Sequence, residues 1–150
     1  MDNILHHTHS GLRWIALILL LATIFKAFSG MSGNKIFTAG DKKLALFTLM
    51  SVHIQLVIGL LLYFMGNYYQ AIETTDESVK ALNRFFRMEH IATMIIAIAL
   101  ITIGYSKAKR ASSDRAKFKS LAIFFTIGLI LILAMIPWPF MEKFSKYGWF

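Results

Sequence analysis

Histidine is the residue type with most chemistry to offer in this chain: His6, His7, His9, His53 and His90. A neutral imidazole carries one N–H donor and one lone pair, and in an apolar medium both need partners. His53 sits in a wholly apolar setting, with Leu49, Met50, Leu56, Val57 and Leu60 at helical spacing around it. Haem iron would satisfy one of its nitrogens; a hydroxyl or backbone carbonyl on a neighbouring helix would serve as well. His9 opens the run His9-Ser10-Gly11-Leu12-Arg13-Trp14, and His90 closes Arg87-Met88-Glu89-His90. Arginines accompany both. Arg13 follows His9 by one turn on the same face, and Arg84 and Arg87 precede His90 by one to two turns. Such guanidinium groups can pair with the propionates of a bound haem or reach out to lipid phosphate. Glu89 can orient an imidazole or pair with Arg13.

Other candidates carry less. Gln55, Gly59 and Tyr63 recur every four residues, with Ser51 one turn earlier, and read as a helix-packing face rather than a quinone pocket. Met50, Met88, Met94 and Met135 are scattered, which favours lipid-facing or gap-filling roles over copper(I) binding. The absence of cysteine excludes disulfides, zinc thiolate sites, iron–sulfur clusters and covalent c-type haem attachment. No Ser-His-Asp set, P-loop, HExxH or GxGxxG can be recognised.

The elements that must position these residues are four apolar blocks, at about Gly11–Phe28, Leu44–Met65, Ile91–Tyr105 and Leu121–Phe140. Hydrophobic residues make up 57% of the chain, more than a soluble domain of 150 residues can cover with polar surface. A helical span needs about 20 residues, so the first and third blocks must take in His9 and Ser10, and Arg87, Glu89 and His90. The spans are placed at about 9–28, 44–65, 85–106 and 119–139, in one transmembrane domain covering 1–150. The expectation is an all-α, up-down-up-down four-helix bundle. Of the histidines, only His9, His53 and His90 are expected within helices. Met1–Ser10 contains no Lys or Arg, so the first block is expected to be a retained span rather than a leader. Thr74-Thr75-Asp76-Glu77 has the form of a capping box with Thr74 as N-cap, starting a long third helix that runs from about Thr75 to Lys107. Pro137 and Pro139 should stop the fourth, with Trp138 in an interfacial aromatic belt and Tyr147-Gly148-Trp149-Phe150 as a second anchor.

Helical rise gives relative depths. Counted from Lys26 and Tyr105 at about 1.5 Å per residue, His9 and His90 stand roughly 23–26 Å up; His53, counted from Leu44, stands roughly 13 Å up. Two axial ligands of one iron need comparable depth, which favours His9 with His90. A tilted helix, or boundaries misplaced by roughly three residues each, would admit His53 instead, so the pairing stays open.

Charge sets the orientation. Lys26, Lys35, Lys42, Lys43, Lys107, Lys109, Arg110, Arg115, Lys117 and Lys119 fall on one side, with only Asp41 and Asp114 as acids. Arg13, Lys80, Arg84, Arg87, Lys143 and Lys146 fall on the other, with the remaining acids. The first side therefore holds the whole net charge of +8. The positive-inside rule makes it cytoplasmic, with both termini on the outer, periplasmic side. The same charge implies attraction to anionic membrane lipid. No interleaving of basic and aromatic residues supports nucleic-acid binding.

The stretches His9–Trp14, His53-Ile54-Gln55-Leu56-Val57-Ile58-Gly59-Leu60-Leu61-Leu62-Tyr63-Phe64 and Glu89-His90, with Gly104-Tyr105-Ser106-Lys107-Ala108-Lys109-Arg110 and Ile136-Pro137-Trp138-Pro139, resemble small bacterial four-span membrane proteins labelled cytochrome b-like. The resemblance covers nearly the whole chain. It implies a multi-pass protein of the bacterial inner membrane that binds haem b in an electron-transfer setting such as a respiratory or quinone-linked complex, with other respiratory-chain subunits or quinone as partners. His9, His53 and His90 are the positions that match as haem-holding histidines. A weaker likeness is to one half of haem A synthase, whose Glu-x-x-His-Arg signature is absent here. Two alternatives stand beside the cytochrome reading: a non-redox accessory subunit of a membrane complex, and an enzyme of haem or quinone metabolism.

Overall fold

The computed structural model describes residues 2–33 and 35–145. Among them there is no strand, and four helices are long and apolar enough to cross a membrane. They are α1 (Asp2–Ser32), α2 (Ala39–Met65), α3 (Glu77–Arg110) and α4 (Asp114–Met135), followed by a single 3-10 turn at Glu142–Phe144. Helix α1 lies against α2 and α4, α4 lies against α3, and α2 meets α3 over a shorter stretch, so the four close into a bundle.

Local chemistry sets the helix starts. Thr38 caps α2 through a capping box: its hydroxyl accepts the Asp41 N–H at 3.2 Å, while the Asp41 carboxylate accepts the Thr38 N–H at 2.9 Å. Asp41 also takes Lys26 of α1 at 3.3 Å, which ties the first loop shut. Ser113 caps α4. At α3 the cap is Asp76, not Thr74: its carboxylate accepts from the N–H groups of Ser78 and Val79, and the Thr74 hydroxyl only supports the Asp76 N–H. Helix α4 ends at Met135, short of the expected 139, because Ile136 precedes proline and is driven to an extended conformation (ψ 130°). Helix α1 starts seven residues before the expected boundary, which brings His6 and His7 into the helix as well. At 31 residues it is roughly 46 Å long, more than the about 30 Å that a span requires. The expected anchor at Tyr147–Phe150 lies outside the described residues.

Helix α3 is interrupted by a π-helical turn at Phe85–Glu89, closed by the His90 N–H on the Phe85 carbonyl. One extra residue in a turn rotates the preceding segment by about 100° relative to an unbroken helix. Here it packs Phe85 inward against Phe144, ring centroids 4.7 Å apart.

Small residues let the helices approach, as membrane bundles require. A Cβ on Gly128 of α4 would stand 2.6 Å from Ile101 of α3. Phe125, Leu20, Ile101, Ala97 and Ala122 fill the interior between such contacts. Polar side chains then bond across helices: Thr23 to Thr48 at 2.7 Å between α1 and α2, and Ser120 to the Gly104 carbonyl at 2.9 Å between α4 and α3. The outward surface remains apolar on every helix, with Phe25, Ile54, Val57, Ile96 and Ile130 all exposed. Such a surface suits lipid and not water.

Candidate functional site

One end of the bundle opens into an apolar cavity of about 1320 Å³, its open mouth included. It lies where α1 begins, α2 ends, α3 passes its π turn and α4 gives way to Ile136-Pro137. Aliphatic side chains such as Leu17, Leu56, Ile91 and Ile98 form most of its wall, and the polar groups are few: His6, His9, Ser10, Arg13, Gln55, Tyr63, Tyr68 and His90.

His90 is the most constrained of these. Its Nδ1 lies 2.8 Å from the Met135 carbonyl of α4. A carbonyl only accepts, so Nδ1 carries the proton and Nε2 keeps its lone pair. Met135 is free to accept because it is the last residue of its helix, where carbonyls have no intrahelical partner. The Phe85 and Phe86 rings flank the imidazole at 5.9 and 6.3 Å between centroids.

His9 is held differently. Its backbone carbonyl accepts from Gln55 Nε2 at 2.7 Å, which fixes α1 against α2 at this level. Its ring lies over Gly59, where a Cβ would stand only 3.0 Å from His9 Cε1. The Nδ1 atom is buried and has no hydrogen-bond partner among the described residues. The Gln55 Oε1 atom is in the same position. Arg13, one turn on, also lines the cavity, and its guanidinium lies 5.4 Å from the Trp14 ring.

His9, His90 and Arg13 are thus brought together on one cavity. His53 and Arg87 are not among its lining residues. The His53 ring is exposed on the outward face, with Nδ1 2.8 Å from the Leu49 carbonyl of its own helix and Nε2 3.4 Å from the Thr102 hydroxyl of α3. That hydroxyl already donates to the Ile98 carbonyl at 2.7 Å, so the contact with His53 is weak. Arg87 contributes its backbone carbonyl, which accepts from the Tyr63 hydroxyl at 3.1 Å, while its buried Nε has no partner among the described residues. Glu89 pairs with Arg84 at 2.7 Å rather than with Arg13.

Gln55, Gly59 and Tyr63, a packing face by their spacing, also form one wall of the cavity, joined by Met94 and by His6. The signal was present in the spacing of His6, Ser10 and Arg13, which repeats at helical intervals from the first turn of α1.

Among the described residues, no three His, Asp or Glu side chains gather to hold a bare metal ion. What the site offers is three imidazoles, of His6, His9 and His90, a guanidinium and a hydrocarbon wall. No protein-family model, curated protein or solved structure matches the chain.

Proposed function

We propose that this protein is a haem b-binding, cytochrome b-like electron-transfer protein, with His9 and His90 as the residues that hold the iron. The observation that carries the reading is their shared cavity, in which the Met135 carbonyl fixes the His90 tautomer and leaves Nε2 unprotonated. Histidines that ligate metals commonly donate their second ring nitrogen in this way. The unpartnered Nδ1 of His9 fits the same donor set. Haem b, when bound, supplies a one-electron iron couple. The chain's own part is to present the imidazoles, to offer Arg13 to the acidic edge of the group, and to keep water out with an aliphatic wall that raises the cost of charge. His53, placed on the outward face, is left out of the ligand set.

The finer topology belongs to the same proposal. The asymmetry of Lys and Arg supports an up-down-up-down arrangement in a bacterial inner membrane, with both termini and the cavity on the outer side. In that setting electrons would pass to or from a respiratory or quinone-linked partner. A second reading, a non-redox accessory subunit, is favoured by one observation: the His53 imidazole is bonded to the Leu49 carbonyl of its own helix and rests loosely against the Thr102 hydroxyl, away from the cavity. Reduced-minus-oxidised absorption of protein purified from haem-replete cells separates the two. A Soret shift with α and β bands is the expected result, and a featureless spectrum rejects the cytochrome.

A further inference from the structure

At the opposite end of the bundle a second cavity, about 670 Å³ with its mouth included, lies between the start of α2, the end of α3 and the start of α4. Lys42, Lys109 and Lys117 line it together with Thr38 and Tyr105. Lys117 is partly neutralised by Asp114 at 2.9 Å and lies 5.6 Å from the Phe37 ring centroid. Among the described residues, Lys42 and Lys109 have no carboxylate partner. Three lysines therefore line one cavity, with Asp114 beside Lys117 and with Asp41 committed to Lys26 and the Thr38 N–H.

Two further facts identify the occupant. The cavity stands where three helices long and apolar enough to cross a membrane begin or end. Directly along α2 from Lys42, at four-residue steps, come Leu46 and Met50, both exposed, with Phe47 exposed beside them. A cationic pocket that continues into an exposed apolar lane matches an anionic headgroup with its acyl chain. We propose that this cavity is a binding site for the phosphate of an anionic phospholipid, held by Lys42, Lys109 and Lys117. The site does not depend on the haem reading, since it shares no residue with the first cavity.

The test is native mass spectrometry of the full chain in detergent, titrated with phosphatidylglycerol or phosphatidylcholine. Phosphatidylglycerol should be retained and phosphatidylcholine should not. Replacing Lys42→Ala and Lys109→Ala together should lower phosphatidylglycerol affinity by about tenfold or more for each lysine, the scale of a charge-assisted hydrogen bond. A control that removes the same charge outside the cavity, Lys43→Ala with Arg110→Ala, should change it by less than about threefold. Should the alanine pair fail to fold, Lys42→Gln with Lys109→Gln keeps the side-chain bulk and gives the same readout. Equal losses from both pairs would reduce the site to diffuse surface attraction and overturn the proposal. Displacement of phosphatidylglycerol by millimolar inorganic phosphate would overturn it too, in favour of a site for a free anion.

Discussion

Replacing Gly59→Ala tests how His9 is held. The added Cβ would stand 3.0 Å from His9 Cε1 and 3.6 Å from His9 Nδ1. Carbon atoms rest at about 3.5–4.0 Å, so the ring must retreat by about 0.5 Å. Binding constellations tolerate displacements of only about that size. Two energies oppose each other in the protein itself. Crowding of this kind costs about 1–3 kcal/mol, while exchanging glycine for alanine inside a helix returns about 1 kcal/mol. The net change in stability should therefore fall between roughly zero and 2 kcal/mol, because the imidazole can swing into the open cavity. Ligand binding has no such relief, since the retreat moves His9 off its position. Titrating haemin into haem-free protein and following the Soret band should show affinity reduced by about tenfold, equivalent to about 1.4 kcal/mol, with thermal unfolding shifted little. Unchanged haemin affinity together with stability raised by the full propensity gain would refute the placement of His9 against Gly59.

Other outcomes follow from the same structure. A double-mutant cycle on Thr23→Val and Thr48→Val, whose hydroxyls meet at 2.7 Å, should give a coupling of about 0.6 kcal/mol and no more than about 1.7 kcal/mol by unfolding in detergent; zero coupling would mean the contact is not made. Deleting Met88 should convert the π turn to a regular helix, swing Phe85 away from Phe144 and cost about 1.5–3 kcal/mol, the value of burying one such ring. Unaltered unfolding would show that the π turn does not position Phe85. A reporter active only in the cytoplasm should work when fused at Ser112, between α3 and α4, and be silent when fused after Ser145; the reverse pattern would invert the orientation.

The four spans were legible because apolar blocks of sufficient length have no other use in a chain this hydrophobic. Their ends were less so. Ile4 to Thr8 is too polar to read as part of an apolar block, yet it continues the helix, which hydropathy does not register. Thr74 and Asp76 can both cap a helix, and only the backbone decides for Asp76. Nothing in the sequence marks the π turn at Phe85–Glu89. The rotation of α2 is the instructive case. It is apolar nearly all round, so burial alone does not say which face is inward. Yet Gln55, Gly59 and Tyr63 trace one stripe, and His53 precedes Gln55 by two residues, about 200° around the helix. The stripe that lines the cavity is therefore the one that turns His53 away from it. The rise per residue likewise anticipates that His9 and His90 share a level. The bond from His90 to the Met135 carbonyl depends on where α4 stops, a tertiary fact with no local signature.

Haem content after single histidine replacements bears most directly on the site. Pyridine haemochrome measurement of purified His90→Ala and His53→Ala should find haem lost from the first and kept near wild-type stoichiometry in the second. Haem retained without His90 and lost without His53 would contradict the assignment of the cavity as the cofactor site.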